Sequence, residues 1–480
     1  MKTIGRKSDL NLNAILDTDS YKFSHFLQYP EGMETMFSYL ESRGGAFETC
    51  TLFGLQAIIH KYLAKEFTLA DVDEAERFAL AHGEPFSRDG WIHVLGTYGG
   101  KLPVRIRAIP EGLVVPVKNV ILTVECIDPK CFWLTNWLET MLSRVWYPST
   151  VAIMSREVKK TWMEFLNMTS DDPVGEIGFK HHDFGARGVT SQEQAMLGGA
   201  AHLLSFMGSD TIAGIAFANH YYDCPMAGFS IPATEHSTMT VWGRENEDAA
   251  IRNWVIKTLV DRKVPEGLPK LTACVGDSYD IFEFVAKICR PELLDLVKES
   301  GGTLVIRPDS GDPVEVLTKI FDIFDNNLPV GAIELNRKGY RVLPSYFRII
   351  WGDGINLDSM RNILGHVTKL GWSVSNIAFG SGGGLLQACN RDTQKFAFKC
   401  SHAIVNGRNV DVRKDPITDP GKRSKAGRLD LVRNIDGTFS TVVLASGEDS
   451  KSNTVMVDYF VNGEIAYNTT FDEVRERMSF

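Results

Sequence analysis

Short apolar runs recur between residues 270 and 392, at 271–275, 304–306, 347–351 and 376–379. Each run leads into a loop rich in Gly and Asp, and a helical pattern follows the loop. Strand-like runs that alternate with helical patterns predict a mostly parallel sheet or barrel. Glycine lets backbone N–H groups approach an anion, and carboxylates at the same strand ends suit hydroxyls or a metal. The pattern therefore predicts a site for a phosphorylated sugar.

The flanking segments have a different pattern, with more strand signal. We predict strands at 33–41, 104–109 and 119–124, a strongly apolar helix over 131–146, and a last helix near 471–478. A polar stretch at 167–175 is the best boundary. The expected domains are an N-terminal sheet and helix region at 1–175, an α/β region at 176–390, and a C-terminal segment at 391–480 that packs with the first.

Composition narrows the class of protein. The 480 residues are 44% hydrophobic and 23% charged, which is ordinary for a soluble enzyme. The net charge of −9 argues against a general nucleic-acid binder. No apolar run approaches the roughly 20 residues of a membrane span, and no signal-peptide core follows the basic start. We expect a cytoplasmic protein.

The eight cysteines include no C-x-x-C pair. Cys126 and Cys131 are the nearest pair, but no second cluster in the sequence completes a zinc site with them. We expect buried free thiols.

The glycine run at 380–384 is the sharpest local signal. The N–H groups of Gly382 and Gly383 would hold a phosphate, and Arg391 would add charge nearby. A flexible turn is the alternative, but four glycines in five residues are costly in backbone entropy. The run is neither a Walker A loop nor a dinucleotide-binding motif, because the required residues or position are missing.

Two further strand-end motifs carry charge. Arg307 and Asp309 lie together after a predicted strand, whereas Asp312 before a proline is explained as a helix cap. Near 181–188, Phe184 and Arg187 would form an aromatic platform beside an anion-binding guanidinium. A buried Phe with a surface Arg is the alternative.

Three polar motifs have simple structural alternatives. Asp210 precedes a predicted helix and His236 follows Glu235 at another helix start, where capping is the ordinary role. A lone histidine is usually structural. The basic run 422–428 is either a solvated charge run or a flap over an anion.

Together these motifs resemble those of the nicotinamide phosphoribosyltransferase family over essentially the whole chain. The motifs are Thr18-Asp-Ser-Tyr-Lys22, Trp133-Leu-Thr-Asn-Trp137, Asp183-Phe-Gly, Arg187-Gly-Val, Glu235-His-Ser-Thr238, Asp277-Ser-Tyr-Asp280, Ile306-Arg-Pro-Asp-Ser-Gly311, Gly352-Asp-Gly354 and Ala378-Phe-Gly-Ser-Gly-Gly-Gly-Leu-Leu-Gln387. The resemblance implies an irregular TIM-like α/β barrel plus a mainly β-sheet domain assembled from the N- and C-terminal segments. It also implies a homodimer with active sites at the subunit interface.

The implied reaction joins nicotinamide to phosphoribosyl pyrophosphate and yields nicotinamide mononucleotide and pyrophosphate. By similarity, Phe184 and Tyr21 of the partner subunit would sandwich the pyridine ring. Asp210 would accept a hydrogen bond from the carboxamide, and Arg307 would donate one. His236 matches the family histidine that ATP phosphorylates, which couples ATP hydrolysis to product formation.

The resemblance assigns the remaining ligand contacts by group. Asp309 and Asp353 would hold the ribose hydroxyls. The residues implied near the 5′-phosphate are Gly352, Gly382, Gly383, Arg391 and Lys399, and those near pyrophosphate and Mg²⁺ are Arg43, Arg187 and Lys414. Asp19 and Gly354 complete the expected substrate-binding set, and Asp277 is placed near the Mg²⁺.

Three rival functions stay open at this point. A nicotinate phosphoribosyltransferase is the nearest, although Asp210 would repel the carboxylate of nicotinate. A barrel lyase or aldolase would need a Schiff-base lysine or a metal-ligand cluster at a strand end, and neither is evident. A non-catalytic nucleotide-binding or signalling protein would tolerate the loss of Asp309 or Arg307.

Overall fold

The computed structural model describes residues 13–415, 417–418 and 423–479. Its chain forms two compact units. Among the described residues, unit 1 contains 13–153, 221–223 and the part after 389, and unit 2 contains 154–220 and 224–389. The N- and C-terminal segments thus share one unit.

The strands are numbered in chain order. They are β1 (Met33–Ser42), β2 (Thr49–Cys50), β3 (Val104–Ala108), β4 (Val115–Pro116), β5 (Val120–Cys126), β6 (His181–Asp183), β7 (Gly208–Ser209), β8 (Leu271–Val275), β9 (Thr303–Arg307), β10 (Glu334–Leu335), β11 (Arg341–Val342), β12 (Phe347–Trp351), β13 (Ile377–Ser381), β14 (Phe396–Val405), β15 (Arg408–Asp411), β16 (Leu429–Arg433), β17 (Phe439–Val443), β18 (Val457–Val461) and β19 (Glu464–Ile465).

The helices are numbered in the same way. They are α1 (Leu55–Ile58), α2 (Leu69–His82), α3 (Arg88–Tyr98), α4 (Leu134–Trp137), α5 (Glu139–Ser143), α6 (Trp146–Thr169), α7 (Pro173–Glu176), α8 (Gln192–His202), α9 (Ile212–Tyr222), α10 (His236–Thr240), α11 (Glu247–Val255), α12 (Ile281–Ile288), α13 (Pro291–Glu299), α14 (Pro313–Asn327), α15 (Leu357–Lys369), α16 (Gly383–Leu386) and α17 (Phe471–Met478). Within the described residues, no helix combines the length and apolar character that crossing a membrane requires.

Unit 2 is built on a parallel sheet in the order β7-β6-β13-β12-β9-β8. The extended segment 229–233 joins the two edge strands. Phe229 pairs in parallel with Gly208 of β7, and Ala233 pairs in parallel with Ala273 of β8. These bridges close the sheet into an irregular barrel, which confirms the predicted fold.

Alternate residues of the barrel strands face different surroundings. One set, which includes Cys274, Ile306 and Phe379, belongs to the large apolar core that also contains helix residues. The other set, which includes Ala273 and Val305, forms a small separate cluster. This alternation follows from the two-residue period of a strand. We call the small cluster the inner layer of the barrel; it contains few buried side chains.

Unit 1 contains an antiparallel sheet in the order β15-β14-β1-β5-β3-β18-β19. Strand β1 pairs with β14, and β3 pairs with β18. Early and late parts of the chain therefore share one sheet, and the predicted mainly β-sheet domain from the N- and C-terminal segments is confirmed.

The predicted helix over 131–146 is wrong in detail, because the segment forms separate short turns. A 3₁₀ turn at Pro129–Cys131 precedes α4 and α5, and the long helix α6 begins only at Trp146. Leu138 lies between α4 and α5 with ψ of −11°, away from the helical value, and this interrupts the helix.

The first unit boundary lies at 153/154, inside α6, instead of at the polar stretch 167–175. That stretch begins in the last turn of α6, and both Thr169 at the helix end and the following Ser170 are buried. The Thr169 carbonyl accepts hydrogen bonds from Asn336 and Ser373. Polar side chains of this stretch are part of the packed structure, so a polar sequence alone does not identify a linker between domains.

Candidate active site

Loops from the carboxyl ends of the barrel strands lie at one end of unit 2. In the parallel registers, Val275 pairs with Arg307, and Asp183 pairs with both Ser381 and Ser209. Polar residues at these strand ends are therefore brought together, as the sequence pattern predicts for an open or closed parallel sheet.

His236 lies between two carboxylates of this end. Its Nε2 is 3.6 Å from Asp309 Oδ2 and 3.8 Å from Asp277 Oδ1. Its Nδ1 is 3.1 Å from the Ser278 hydroxyl. Asp277 Oδ2 accepts hydrogen bonds from the Asp309 N–H and the Ser310 hydroxyl, at 3.1 and 2.5 Å. Both ring nitrogens thus face polar partners, although the side chain is 47% exposed.

Local sequence explains the position of His236. Glu235 caps α10, and a reciprocal capping box links it to Thr238. Two residues earlier, Ala233 is fixed by its bridge to Ala273. The predicted helix start is confirmed, and it anchors the imidazole at the barrel end.

Phe184 lies at the end of β6, over the inner layer of the barrel. Its N–H donates to the Ser381 carbonyl at 2.9 Å, and its ring packs against the small cluster that includes Ala273 and Ile350. A Cβ at Gly380 would overlap this ring. Gly380 therefore leaves room for the ring beside β13.

Asp183 and Asp210 place two carboxyl groups on adjacent strand ends. The Asp210 N–H donates to the Asp183 carbonyl at 2.9 Å. Asp210 is exposed, and its Oδ1 accepts a hydrogen bond from Ser230 at 2.5 Å. Burial raises the pKa of Asp183 to about 6, and the neighbouring charge of Asp210 acts in the same direction. This corner disfavours a further negative charge.

The glycine run 380–384 contains two kinds of position. Gly380 and Gly384 are required by packing, because a Cβ would overlap Phe184 in one case and the Ile355 carbonyl in the other. At Gly382 and Gly383 a Cβ would meet only ordinary contacts, at 3.5 and 3.6 Å. Packing therefore leaves these two unexplained, and close approach of a ligand to their backbone would explain them.

The other strand-end residues differ in exposure. Arg307 is half-buried, and its Nε has no hydrogen-bond partner among the described residues. Asp353 and Arg187 are exposed. Gly354 has φ of +66°, which favours glycine, so its conformation is sufficient to explain it. Asp312 caps α14 by accepting from two backbone N–H groups, as predicted.

Four of the expected basic residues, Arg43, Arg391, Lys399 and Lys414, form a group in unit 1. Burial lowers the pKa of Lys399, and the charges of Arg43, Lys414 and Arg391 act in the same direction against the opposing effect of Glu139. Arg43 Nη2 is buried without a hydrogen-bond partner in the described part of the chain. The cluster therefore holds positive charge in excess of its local carboxylates, which suits an anion.

The N-terminal motif also lies in unit 1. Tyr21 is 55% exposed, and its ring makes an edge contact with His25. Asp19 accepts a hydrogen bond from Thr140 at 2.6 Å, and buried Lys22 pairs with Glu139 at 2.7 Å. In the basic run, Lys422 lies outside the described residues.

The expected site residues are divided between the units. Those in unit 2 are Phe184, Arg187, Asp210, His236, Asp277, Arg307, Asp309, Gly352, Asp353, Gly354, Gly382 and Gly383, and those in unit 1 are Asp19, Tyr21, Arg43, Arg391, Lys399 and Lys414. Sequence reasoning gave no role to Ser278, Ser230 or Asp183. Ser278 and Asp183 belong to motifs that the family resemblance uses, whereas Ser230 had no sequence signal.

Two family models match the chain. The nicotinate phosphoribosyltransferase (NAPRTase) family matches residues 179–464, and the N-terminal domain of nicotinamide phosphoribosyltransferase matches residues 13–106. A nicotinamide phosphoribosyltransferase of Xanthomonas campestris is 47% identical, covering 96% of this chain and 97% of the relative. One of Acinetobacter baylyi is 31% identical, covering 98% and 97%.

Solved structures share the fold at low identity. The nicotinate-nucleotide pyrophosphorylase of Pyrococcus furiosus has a TM-score of 0.62 at 15% identity, covering all of this chain and 97% of its own. Human nicotinic acid phosphoribosyltransferase has a TM-score of 0.54 at 15% identity, covering 96% and 92%. Fold and sequence together define a phosphoribosyltransferase of NAD biosynthesis. The chain belongs to the nicotinamide phosphoribosyltransferase family.

Replacing Gly380 by Ala tests the packing of the Phe184 ring. We expect the free energy of unfolding to fall by about 1–3 kcal/mol, because the added methyl group must displace the ring. In a Phe184→Ala background the same change would cost less, and urea unfolding of all four proteins measures the difference.

Gly96→Ala is the matched control, because a Cβ there has open space within α3. It should be neutral or stabilising. Equal costs of Gly380→Ala with and without the Phe184 ring would contradict the assigned contact.

Proposed function

We propose that this chain transfers the phosphoribosyl group of phosphoribosyl pyrophosphate to nicotinamide. The products are nicotinamide mononucleotide and pyrophosphate, in a salvage step of NAD biosynthesis. The observation that carries the choice of base is the exposed Asp210 carboxylate, which directly follows β7, next to the strand β6 that Phe184 follows. The names of the relatives at 47% and 31% identity support the same choice.

Asp210 selects a neutral base by charge. Its free lone pairs accept a hydrogen bond from the carboxamide NH₂ of nicotinamide, Arg307 donates to the carboxamide oxygen, and Phe184 stacks on the ring. Nicotinate would present a carboxylate to Asp210. A second carboxyl group, that of Asp183, is adjacent, since the Asp210 N–H donates to the Asp183 carbonyl. Like charges in a partly buried site disfavour binding, so the nicotinate reading ranks second.

The transfer needs no base or covalent nucleophile. The bond between ribose C1 and the pyrophosphate oxygen breaks, and pyrophosphate leaves with the electron pair. The pyridine nitrogen uses its own lone pair to form the new C1–N bond and becomes a pyridinium. Asp309 and Asp353 hold the ribose hydroxyls, so that the cation-like sugar and the nitrogen stay in line.

Backbone and basic side chains bind the phosphate groups. The N–H groups of Gly382 and Gly383 are proposed to approach the 5′-phosphate, because packing does not require glycine at either position. Gly352 leaves similar room, since a Cβ there would meet the Phe184 ring only at 3.5 Å. In unit 2, Arg187 is proposed to neutralise phosphate charge. The family resemblance assigns the same role to the basic group of unit 1, which consists of Arg43, Arg391, Lys399 and Lys414.

The carboxylates beside His236 fit a magnesium ion. Asp277 Oδ1 is buried and has no hydrogen-bond partner within the described residues, and hard oxygen ligands are those that Mg²⁺ prefers. Asp277 would hold it, directly or through water, beside the ribose hydroxyls that Asp309 holds. When bound, Mg²⁺ neutralises charge on the pyrophosphate leaving group. Asp277 also orients the Asp309 backbone through its other oxygen.

His236 is proposed to accept a phosphoryl group from ATP, which couples hydrolysis to transfer. Its nearly half-exposed ring is open to a ligand. Asp277, Asp309 and Ser278 restrict the orientation of the ring.

The proposed active form is a homodimer. Tyr21 is exposed in one chain and is assigned to stack on the base as Tyr21 of the partner subunit, as in the family that the motifs resemble.

Replacing Asp210 by Asn tests the choice of base. We expect the ratio of kcat/KM for nicotinamide over nicotinate to fall by about 10- to 100-fold, which is about 1.4–2.7 kcal/mol, because the like-charge repulsion is removed. The control is Asp322→Asn, at an exposed position of α14. An unchanged ratio in the Asp210 variant would refute the assigned role, whereas loss of transfer with both bases at retained stability would point to a role beyond base selection.

Replacing His236 by Ala tests the coupling to ATP. The ratio of initial rates with and without ATP should fall to about one, because the phosphoryl acceptor is gone. His82→Ala, at the exposed end of α2, should keep the ratio of the native enzyme. Persistent ATP stimulation in the His236 variant would exclude a phosphohistidine at this position.

A further inference from the structure

Three metal-binding side chains meet in unit 1, on elements that the proposed reaction does not use. They are His93 on α3, Asp128 after β5, and Cys131 at the end of the 3₁₀ turn Pro129–Cys131. One potential ligand atom from each lies within 4.8 Å of the others. His93 Nε2 and Asp128 Oδ2 are 2.6 Å apart. The chain brings them together across 35 positions of sequence.

The surroundings hold these side chains in place. Asp128 Oδ1 accepts the Lys130 N–H at 2.8 Å, which leaves Oδ2 directed toward His93. The Tyr98 hydroxyl donates to Oδ2 at 2.9 Å. Thr97 Oγ1 lies 3.3 Å from His93 Nδ1, the ring nitrogen away from the cluster. Outer hydrogen bonds of this kind to a histidine and a carboxylate are typical of metal sites.

Burial gives the cluster one closed side and one open side. The Cys131 side chain is fully buried, whereas the side chains of His93 and Asp128 are 23% and 11% exposed. An ion would therefore enter past the imidazole and the carboxylate. It would meet the sulfur as its innermost ligand.

We infer that His93, Asp128 and Cys131 form a binding site for a divalent transition-metal ion of the zinc class. Nitrogen, oxygen and sulfur together suit Zn²⁺ or Co²⁺, whereas Mg²⁺ prefers oxygen alone. Tetrahedral ligands at about 2.0–2.3 Å from zinc lie about 3.5 Å from one another. Binding therefore requires His93 Nε2 and Asp128 Oδ2 to move apart by about 1 Å from their present 2.6 Å. Water completes the coordination on the exposed side.

Charge and protons balance in this site. Binding replaces the thiol proton of Cys131 by a metal–sulfur bond and releases that proton to solvent. The proton that His93 Nε2 shares with Asp128 Oδ2 moves to Nδ1, beside Thr97 Oγ1, so that Nε2 can bind the ion. A thiolate, a carboxylate and a neutral imidazole then carry two negative charges, which match the ion. The sequence alone predicted only buried thiols here, because the second ligand segment comes from α3 and has no motif.

The metal-free alternative is a hydrogen-bonded His93, Asp128 and Tyr98 network that holds the loop after β5. The proposed metal site and this network differ at Cys131, which the network does not include. A probe that reports sulfur coordination therefore separates them.

The test is a Co²⁺ titration of the full chain after chelator treatment, in a buffer with millimolar Mg²⁺. We expect one Co²⁺ per chain, with a sulfur-to-cobalt charge-transfer band in the near ultraviolet and visible bands of a tetrahedral ion. Zn²⁺ should abolish both, and added Mg²⁺ should not. Absence of the charge-transfer band at one equivalent would overturn the proposal.

Variants assign the ligands. Cys131→Ser should remove the charge-transfer band, and His93→Gln should weaken Co²⁺ binding by at least about tenfold. A folding defect in Cys131→Ser would also remove the band, because Cys131 is buried. His93 is partly exposed, so His93→Gln tests the site at a position where a folding defect is not expected. The matched control Cys389→Ser, which changes a thiol in the other unit, should bind Co²⁺ as the native chain does. Native-like binding in His93→Gln, or a charge-transfer band retained in Cys131→Ser, would refute the site.

Discussion

Closure of the parallel sheet by the segment 229–233 is the constraint on which the site of unit 2 depends. This segment pairs with β7 through Phe229 and with β8 through Ala233, and His236 follows three residues later. Because all strands of the barrel are parallel, their carboxyl ends share one end of the unit. The small inner layer beneath that end leaves room for the Phe184 ring. One face of these strands therefore packs in the large apolar core, and the other face lies beneath the candidate active site.

The two units carry different charges at their expected site residues: mainly carboxylates in unit 2 and mainly cations in unit 1. Unit 2 places Asp183 and Asp210 on adjacent strands and sets His236 between Asp277 and Asp309. Such a site favours neutral or cationic groups near the carboxylates, and it suits a base that becomes a pyridinium during transfer. Most of the cations assigned to phosphate lie around Lys399 in unit 1, where burial lowers the pKa of that lysine and repulsion by Arg43, Lys414 and Arg391 lowers it further. An anion would relieve this repulsion.

The strand-end loops of the barrel, the caps at Asp312 and Glu235, and the family were predictable from sequence, because each rests on short-range patterns. The interruption of the helix at Leu138 was not, since apolar spacing does not report the backbone angles of a single residue. The contact of His236 with Asp277 was also not predictable. It depends on the pairing of Ala233 with Ala273 of β8, which joins segments that are distant in sequence. The sequence also does not distinguish Gly380 from Gly382, because only the packing of the folded chain explains the first and leaves the second unexplained.

The central claim is that the barrel end uses carboxylates to choose a neutral pyridine base for phosphoribosyl transfer. The most direct measurement is kcat/KM of the native enzyme for nicotinamide and for nicotinate, with phosphoribosyl pyrophosphate and Mg²⁺ at fixed pH. The account predicts that nicotinamide is preferred by about 100-fold or more, which is about 2.7 kcal/mol of transition-state binding. Equal values, or a preference for nicotinate, would contradict it.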